Sequence, residues 1–187
     1  MMIVTSTPAW ARFFPAQTAA SPGKKRSDLG TYRAYDITRF DGDLFASHND
    51  PGMLTLSKST DGGDTWQAVP GLENNLLHVN TIEFNGRLLA VSFDRRSLYG
   101  LDADDRVSNF PLPTGYLLGA SYPENGYADF NLMVVVDGWL YLIAEKQSLT
   151  DPIERAIIRT QDFNAWQRMV HTDERLISLA YWPEKIG

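Results

Sequence analysis

No cysteine occurs among the 187 residues. Disulfide frameworks, thiolate nucleophiles and cysteine-ligated metal centres are therefore excluded, while the compartment stays open because many exported proteins also lack disulfides. Histidine is almost as scarce. His48, His78 and His171 lie far apart without His-x-x-x-His spacing. They read as surface or loop residues, and no metal or cofactor is expected. Nowhere do about 18 apolar residues run together, so no membrane span is expected. The opening Met1-Met2-Ile3-Val4-Thr5-Ser6-Thr7-Pro8 has neither the basic nor the apolar region of a secretory signal. Excess positive charge is missing too. A net charge of −6 speaks against nucleic acid, whose binders gain affinity by neutralising phosphates. A Gly-rich phosphate loop and a Gly-x-Ser-x-Gly elbow are also absent.

What the chain does contain points to sheets. Hydrophobic residues make up 43% and aromatics 12%, with five Trp, nine Phe and eight Tyr, and such rings fit a pleated surface. One pattern then occurs three times. Phe40-Asp41-Gly42-Asp43-Leu44-Phe45, Phe84-Asn85-Gly86-Arg87-Leu88-Leu89 and Val136-Asp137-Gly138-Trp139-Leu140-Tyr141 each read as strand, tight turn, strand. Asp-Gly and Asn-Gly suit hairpins because primed turns need positive φ. Each hairpin is followed by another strand and an acidic turn, at Asp61, at Asp102 or Asp104, and at Asp162. The recurrence suits four-stranded propeller blades, which take about 40–50 residues each. No segment reads as an amphipathic helix.

The expected fold is therefore all-β, a β-propeller of four-stranded antiparallel blades. Its units are residues 31–75, 76–125, 126–175 and a partial blade at 176–187. Residues 1–30, with Pro8, Pro15, Pro22 and the cluster Lys24-Lys25-Arg26, read as an arm or connector. Leu176 to Trp182 reads as the first strand of the fourth blade, so closure falls to the N-terminal arm or to other chains. Gln147 to Pro152 reads as an inserted loop.

Ser59-Thr60-Asp61-Gly62-Gly63-Asp64-Thr65-Trp66 matches Ser-x-Asp-x-Gly-x-Thr-Trp at every defined position. The Asp61 carboxylate suits a turn because it can accept nearby backbone N–H groups. Gly63 tolerates positive φ, and Trp66 supplies a ring to bury. Thr160-Gln161-Asp162-Phe163-Asn164-Ala165-Trp166 is a shorter copy without the glycine, and the middle copy lacks both Ser and Trp. With Tyr32-Arg33-Ala34-Tyr35 ahead of the first hairpin, the stretch Tyr32 to Trp66 resembles a first blade of the sialidase-like, Asp-box (BNR-repeat) superfamily.

That resemblance implies structural roles for Ser59, Asp61, Gly63, Thr65, Trp66, Asp162 and Trp166. It also implies that Arg33 aligns with the first of three carboxylate-gripping arginines and that Asp50 stands for an acid/base aspartate. The chain departs from the family at Ala34 and Tyr35, where the motif has Ile-Pro. The Tyr–Glu nucleophile pair and the other two arginines have no match, and retaining glycoside hydrolysis needs a nucleophile opposite the leaving group. The expected function is thus a non-catalytic module for protein binding or self-assembly, for which a virion or phage structural component would fit. The alternative is a carbohydrate-active protein, either a degenerate glycosidase or a lectin. Leu112 to Asp129 reads as a surface loop whose Tyr116, Tyr122 and Tyr127 suit partner or glycan contact.

Overall fold

The structure is a computed structural model, and it describes residues 33–50, 53–72, 76, 80–119, 131–146, 154–172 and 179. At positions 33, 49, 50, 53, 54, 171 and 172 only the backbone is described. Among the described residues there are strands and no helix.

The described residues form three antiparallel sheets, each from strands consecutive in the chain. The first is β1 (Arg33–Phe40), β2 (Asp43–Asp50), β3 (Met53–Ser59) and β4 (Gln67–Ala68), in that order. The second is β5 (Ile82–Phe84), β6 (Arg87–Val91), β7 (Ser97–Leu101) and β8 (Val107–Pro111). After β9 (Tyr116–Leu118), the third is β10 (Met133–Val136), β11 (Trp139–Lys146), β12 (Glu154–Thr160) and β13 (Gln167–Thr172).

The hairpin chemistry explains this order. Asp41 and Gly42, Asn85 and Gly86, and Asp137 and Gly138 all take positive φ, as the central pair of a primed turn must. Such turns match strand twist and leave consecutive strands paired. Because each sheet is a meander, its first and third connections share one end and its second connection lies at the other.

Burial follows the same plan. Leu88, Ala90 and Leu101 of the second sheet join Phe40, Phe45 and Leu56 of the first in one apolar core. Leu89, Val91 and Leu98, which alternate with them, join Leu140, Leu142 and Ile158 of the third in another. The middle sheet is thus covered on both faces, and β6 is accordingly a near-continuous apolar run.

Polar side chains pin the first strands together. Asp36 Oδ2 accepts the backbone N–H and the hydroxyl of Thr81, both at 2.7 Å. Asn80 accepts the Leu132 N–H at 3.0 Å and donates to Met133 O at 3.1 Å. Leu179 N–H in turn donates to Asn131 O at 2.8 Å. The start of each sheet is therefore tied to the one before it, and Leu179 continues the series beside the third.

Two features depart from the sequence-based expectations. Part of the expected surface loop is β9, which pairs with the far end of β11 through Leu118↔Ala144 and Tyr116↔Lys146. Leu118 is completely buried, so the pairing serves the core. His48 is also buried, with Nε2 at 2.7 Å from Ser57 Oγ, and is not a surface residue. A neighbouring hydroxyl on β3 satisfies that nitrogen and permits the burial.

Candidate functional site

The acidic turns come first, because the sequence singles them out. Ser59, at the buried end of β3, donates to Asp61 Oδ1 at 2.8 Å and accepts the Gly63 N–H at 2.8 Å. Asp61 also accepts the Thr65 N–H at 2.8 Å and the Thr65 hydroxyl at 2.6 Å. Trp66 Nε1 donates to Gly63 O at 3.2 Å, and its ring is half-buried. The hydroxyl and N–H of Thr65, then the Ser59 hydroxyl, hold the Asp61 pKa down at about 2. An aspartate so occupied stays ionised at neutral pH and cannot serve there as a general acid.

The other two turns repeat the principle with different letters. Thr160 Oγ1 accepts the Phe163 N–H at 2.9 Å, and Asp162 Oδ1 accepts from Asn164 and Ala165. Those N–H groups lower the Asp162 pKa, Asn164 contributing most. Phe163 takes φ 65°, where the first turn has Gly62 at 75°. Its ring stacks on Phe110 at 4.0 Å and meets Phe84 edge-on at 5.4 Å. Half-buried Trp166 packs against the same core. In the middle turn Asp102 accepts the N–H groups of Asp104 and Arg106, each at 3.0 Å. All three aspartates act on their own turns.

A shallow cavity of about 130 Å3 lies beside the first turn, lined in part by Lys58, Thr65, Gln67 and Asp105. It is small against the roughly 300–1,000 Å3 of ligand sites. Among the described residues no three His, Asp or Glu side chains gather as a metal site. Arg33 opens β1 opposite Asn49, and Asp50 closes β2 opposite Met53. Their backbones therefore meet at one end of the first sheet, and their side chains lie outside the described set. Tyr122 and Tyr127 are also outside it, whereas Tyr116 is half-buried at the start of β9.

A second site was not singled out from the sequence. It lies at the other end of the sheets, in the β6–β7 turn from Ser92 to Ser97. Buried Ser92 Oγ accepts the Ser97 N–H at 3.0 Å and lies 2.7 Å from Asp94 Oδ1. Asp94 Oδ1 also accepts the Arg96 N–H at 3.0 Å, and that bond, then the Ser92 hydroxyl, lowers the Asp94 pKa. The Arg95 and Arg96 carbonyls accept the Leu118 and Leu112 N–H groups at 2.8 and 2.9 Å, which ties the turn to β9 and to the residue after β8.

Below the turn sits a buried charge. Glu145 has no exposed surface, with Arg95 Nη1 at 4.0 Å and Arg155 Nε at 3.5 Å from its two oxygens. Arg95 reaches it from a backbone at φ 62°. Above the turn, Phe93 is 64% exposed. A large ring is thus held outside on a turn whose polar groups are internally bonded. The sequence signal was available: Ser92-Phe93-Asp94 repeats the Ser-x-Asp opening of Ser59-Thr60-Asp61, with an aromatic inside a polar turn.

No protein-family model matches the chain, and no curated protein matches it. Among solved structures it is similar to PorZ, a bacterial surface component of the type-IX secretion system of Porphyromonas gingivalis, with 13% identity and a TM-score of 0.22. The match covers 75% of this chain and 28% of that one, so the chain spans little more than a quarter of that protein's length.

Proposed function

We propose that the chain is a non-catalytic β-propeller module of the sialidase-like, Asp-box type, serving protein binding or assembly. The observation that carries the binding role is Phe93, exposed on a turn fixed by its own hydrogen bonds and by β9. Ordering a loop on binding weakens association, and a turn already ordered avoids that cost. The aspartate turns support the non-catalytic part, because each carboxylate is engaged by the turn it belongs to. The propeller part is supported by the three meandering sheets, the doubly covered middle sheet and the repeated tie at Thr81, Leu132 and Leu179.

Chemical crosslinking in the native source, followed by mass measurement of the purified complex, tests the reading. A defined oligomer or a fixed protein partner is expected. A monomer that binds no protein and turns over a fluorogenic sialoside would overturn it in favour of a glycosidase.

A further inference from the structure

We infer that the chain associates head to tail with a second copy of itself, the third sheet of one molecule meeting the acidic turn of the first sheet of the next, with Arg159 bonded to Asp64 across the contact. This rests on the assembly reading and names the partner. The seams inside the chain carry the argument. Phe45, Leu89 and Tyr141 hold equivalent positions after the glycines of the primed turns, and they pair with Lys58, Gly100 and Arg159. Those residues pair in turn with Gln67, Ser108 and Gln167 on the last strands. Asp64, Asp105 and Asn164 are therefore equivalent too, each preceding its last-strand residue by the same step. Within the chain, Lys58 of the first sheet bonds Asp105 of the second. Arg159 holds the position of Lys58 on a sheet that no other described sheet follows. Exposed Asp64 holds the position of Asp105 on a sheet that no other described sheet precedes.

Arg159 is prepared for an anion. Its guanidinium lies 3.9 Å from the Trp139 ring centroid. It donates from Nε and Nη2 to Gln167 Oε1 at 3.1 and 2.9 Å, and from Nη1 to Tyr141 Oη at 3.1 Å. One N–H on each terminal nitrogen remains for a carboxylate. A guanidinium already fixed loses little freedom on pairing. Arg95, Arg106, Arg155 and Arg168 face carboxylates of their own chain, whereas Arg159 faces none among the described residues.

Apolar surface stands in matching places. Arg159 and Ile157 alternate with Ile158, which packs toward the second sheet, so both point to the opposite face. Val170 pairs with Ile157 on that face and is 48% exposed. On the first sheet, Ile37 alternates with Thr38 and pairs with Ala46, on the face away from Phe45, and is 58% exposed. Leu179 is tied beside β10, two strands from Arg159. A contact between two different faces of one molecule is heterologous, so it propagates into a ring or a filament.

Sedimentation velocity of the purified full-length chain over a range of concentrations tests the contact. Wild type is expected to form species larger than the monomer. Arg159→Asp sets two carboxylates against each other and Asp64→Arg two guanidinium groups, so each variant alone should self-associate at least about tenfold more weakly. An equal mixture of the two has opposite charges at every contact and should recover wild-type association. Near-UV circular dichroism checks that each variant is folded. Asp64→Arg, on an exposed turn, keeps the test in force if Arg159→Asp does not fold. A wild-type monomer at every concentration, unchanged association of Asp64→Arg, or two folded variants that fail to recover on mixing would each overturn the inference. A native crosslinked complex with a different protein that persists in both variants would remove this contact while leaving the binding module standing. Absence of any complex removes both.

Discussion

Lys58 Nζ on β3 bonds both carboxylate oxygens of Asp105, at 2.8 and 3.0 Å, across the seam between the first and second sheets. Asp43 of the first sheet stands 3.2 Å from the same nitrogen. The ammonium therefore joins the first hairpin of one sheet to the acidic turn of the next. At the following seam Asn85 does the equivalent, donating to Gln161 O at 2.6 Å. A side chain near one hairpin thus meets the acidic turn of the neighbouring sheet twice.

Replacing Lys58 by Met keeps the stem and removes the charge. The pair is partly exposed, so the expected loss is about 0.5–1 kcal/mol in urea unfolding. The Asp105 bond comes first among the causes that raise the Lys58 pKa. A raised folded pKa means the contribution is complete below the ordinary value of 10.5 and is lost as pH rises through the folded one. Wild type and variant should therefore converge in strong alkali, and a pH-independent gap would assign the loss to packing.

Asp61 gives the opposite sign. Its folded pKa of about 2 lies below the ordinary 3.8, so its stabilisation is present above 3.8 and is lost as pH falls toward 2. Asp61→Asn should lower the melting temperature at neutral pH and flatten that part of the acid slope. Carboxyl NMR should place the wild-type midpoint near 2 and show it rising in Thr65→Val, which lacks the leading hydrogen bond. A wild-type midpoint near 3.8 would mean that the turn is open in solution.

Trp66 is half-buried, and its Nε1 is bonded to Gly63 O. Trp66→Ala should therefore cost about 1–3 kcal/mol, below the roughly 3–5 of a fully buried ring. Trp66→Phe keeps part of the burial and loses the hydrogen bond, so about 0.5–1.5 kcal/mol of the effect should remain. Urea unfolding of both variants checks the split.

These cases show what was legible in the chain. Asp41-Gly42, Asn85-Gly86 and Asp137-Gly138 announce their turns because positive φ restricts the choice of residue, and all three are turns between paired strands. The apolar run of β6 likewise follows from burial on two faces. Other features depend on distant partners. Three residues between Gly115 and Gly119 become β9 only because β11 offers an edge far along the chain. His48 is buried because Ser57 stands beside it. Phe163 holds a glycine-like backbone because Phe84 and Phe110 reward its ring. The Phe93 turn was legible in letters, but exposure of the ring depends on how β8 and β9 fix the turn.

Gly100 in β7 tests how tightly side chains of β6 and β8 close over the middle strand of their own sheet. A methyl group there would lie 2.7 Å from Phe110 Cε2, 3.0 Å from Arg87 Cδ and 3.3 Å from Leu89 Cδ2. Overpacking of this kind costs about 1–3 kcal/mol. Gly100→Ala should show that loss on chemical unfolding, and a paired Phe110→Leu change should recover part of it. A neutral Gly100→Ala would mean that the Phe110 ring and the Arg87 and Leu89 side chains move aside freely and do not press on β7.

Glu145 is the most demanding case, because its charge is wholly buried while Arg95 and Arg155 each retain about a fifth of their side-chain exposure. Contacts of 4.0 and 3.5 Å rely on Coulomb attraction more than on short hydrogen bonds. Removing the carboxylate takes from Arg95 and Arg155 the buried anion that both face, so Glu145→Ala should cost about 3–5 kcal/mol. It also releases Arg95, whose positive φ is held at a cost of roughly 1–3 kcal/mol. Replacing the three together by Met, Leu and Met should be milder than the single change, because the charges that face one another leave together. Denaturant unfolding of the single and triple variants decides. If Glu145→Ala loses less than about 1 kcal/mol, the carboxylate is reached by water, and the β6–β7 turn is not anchored from below.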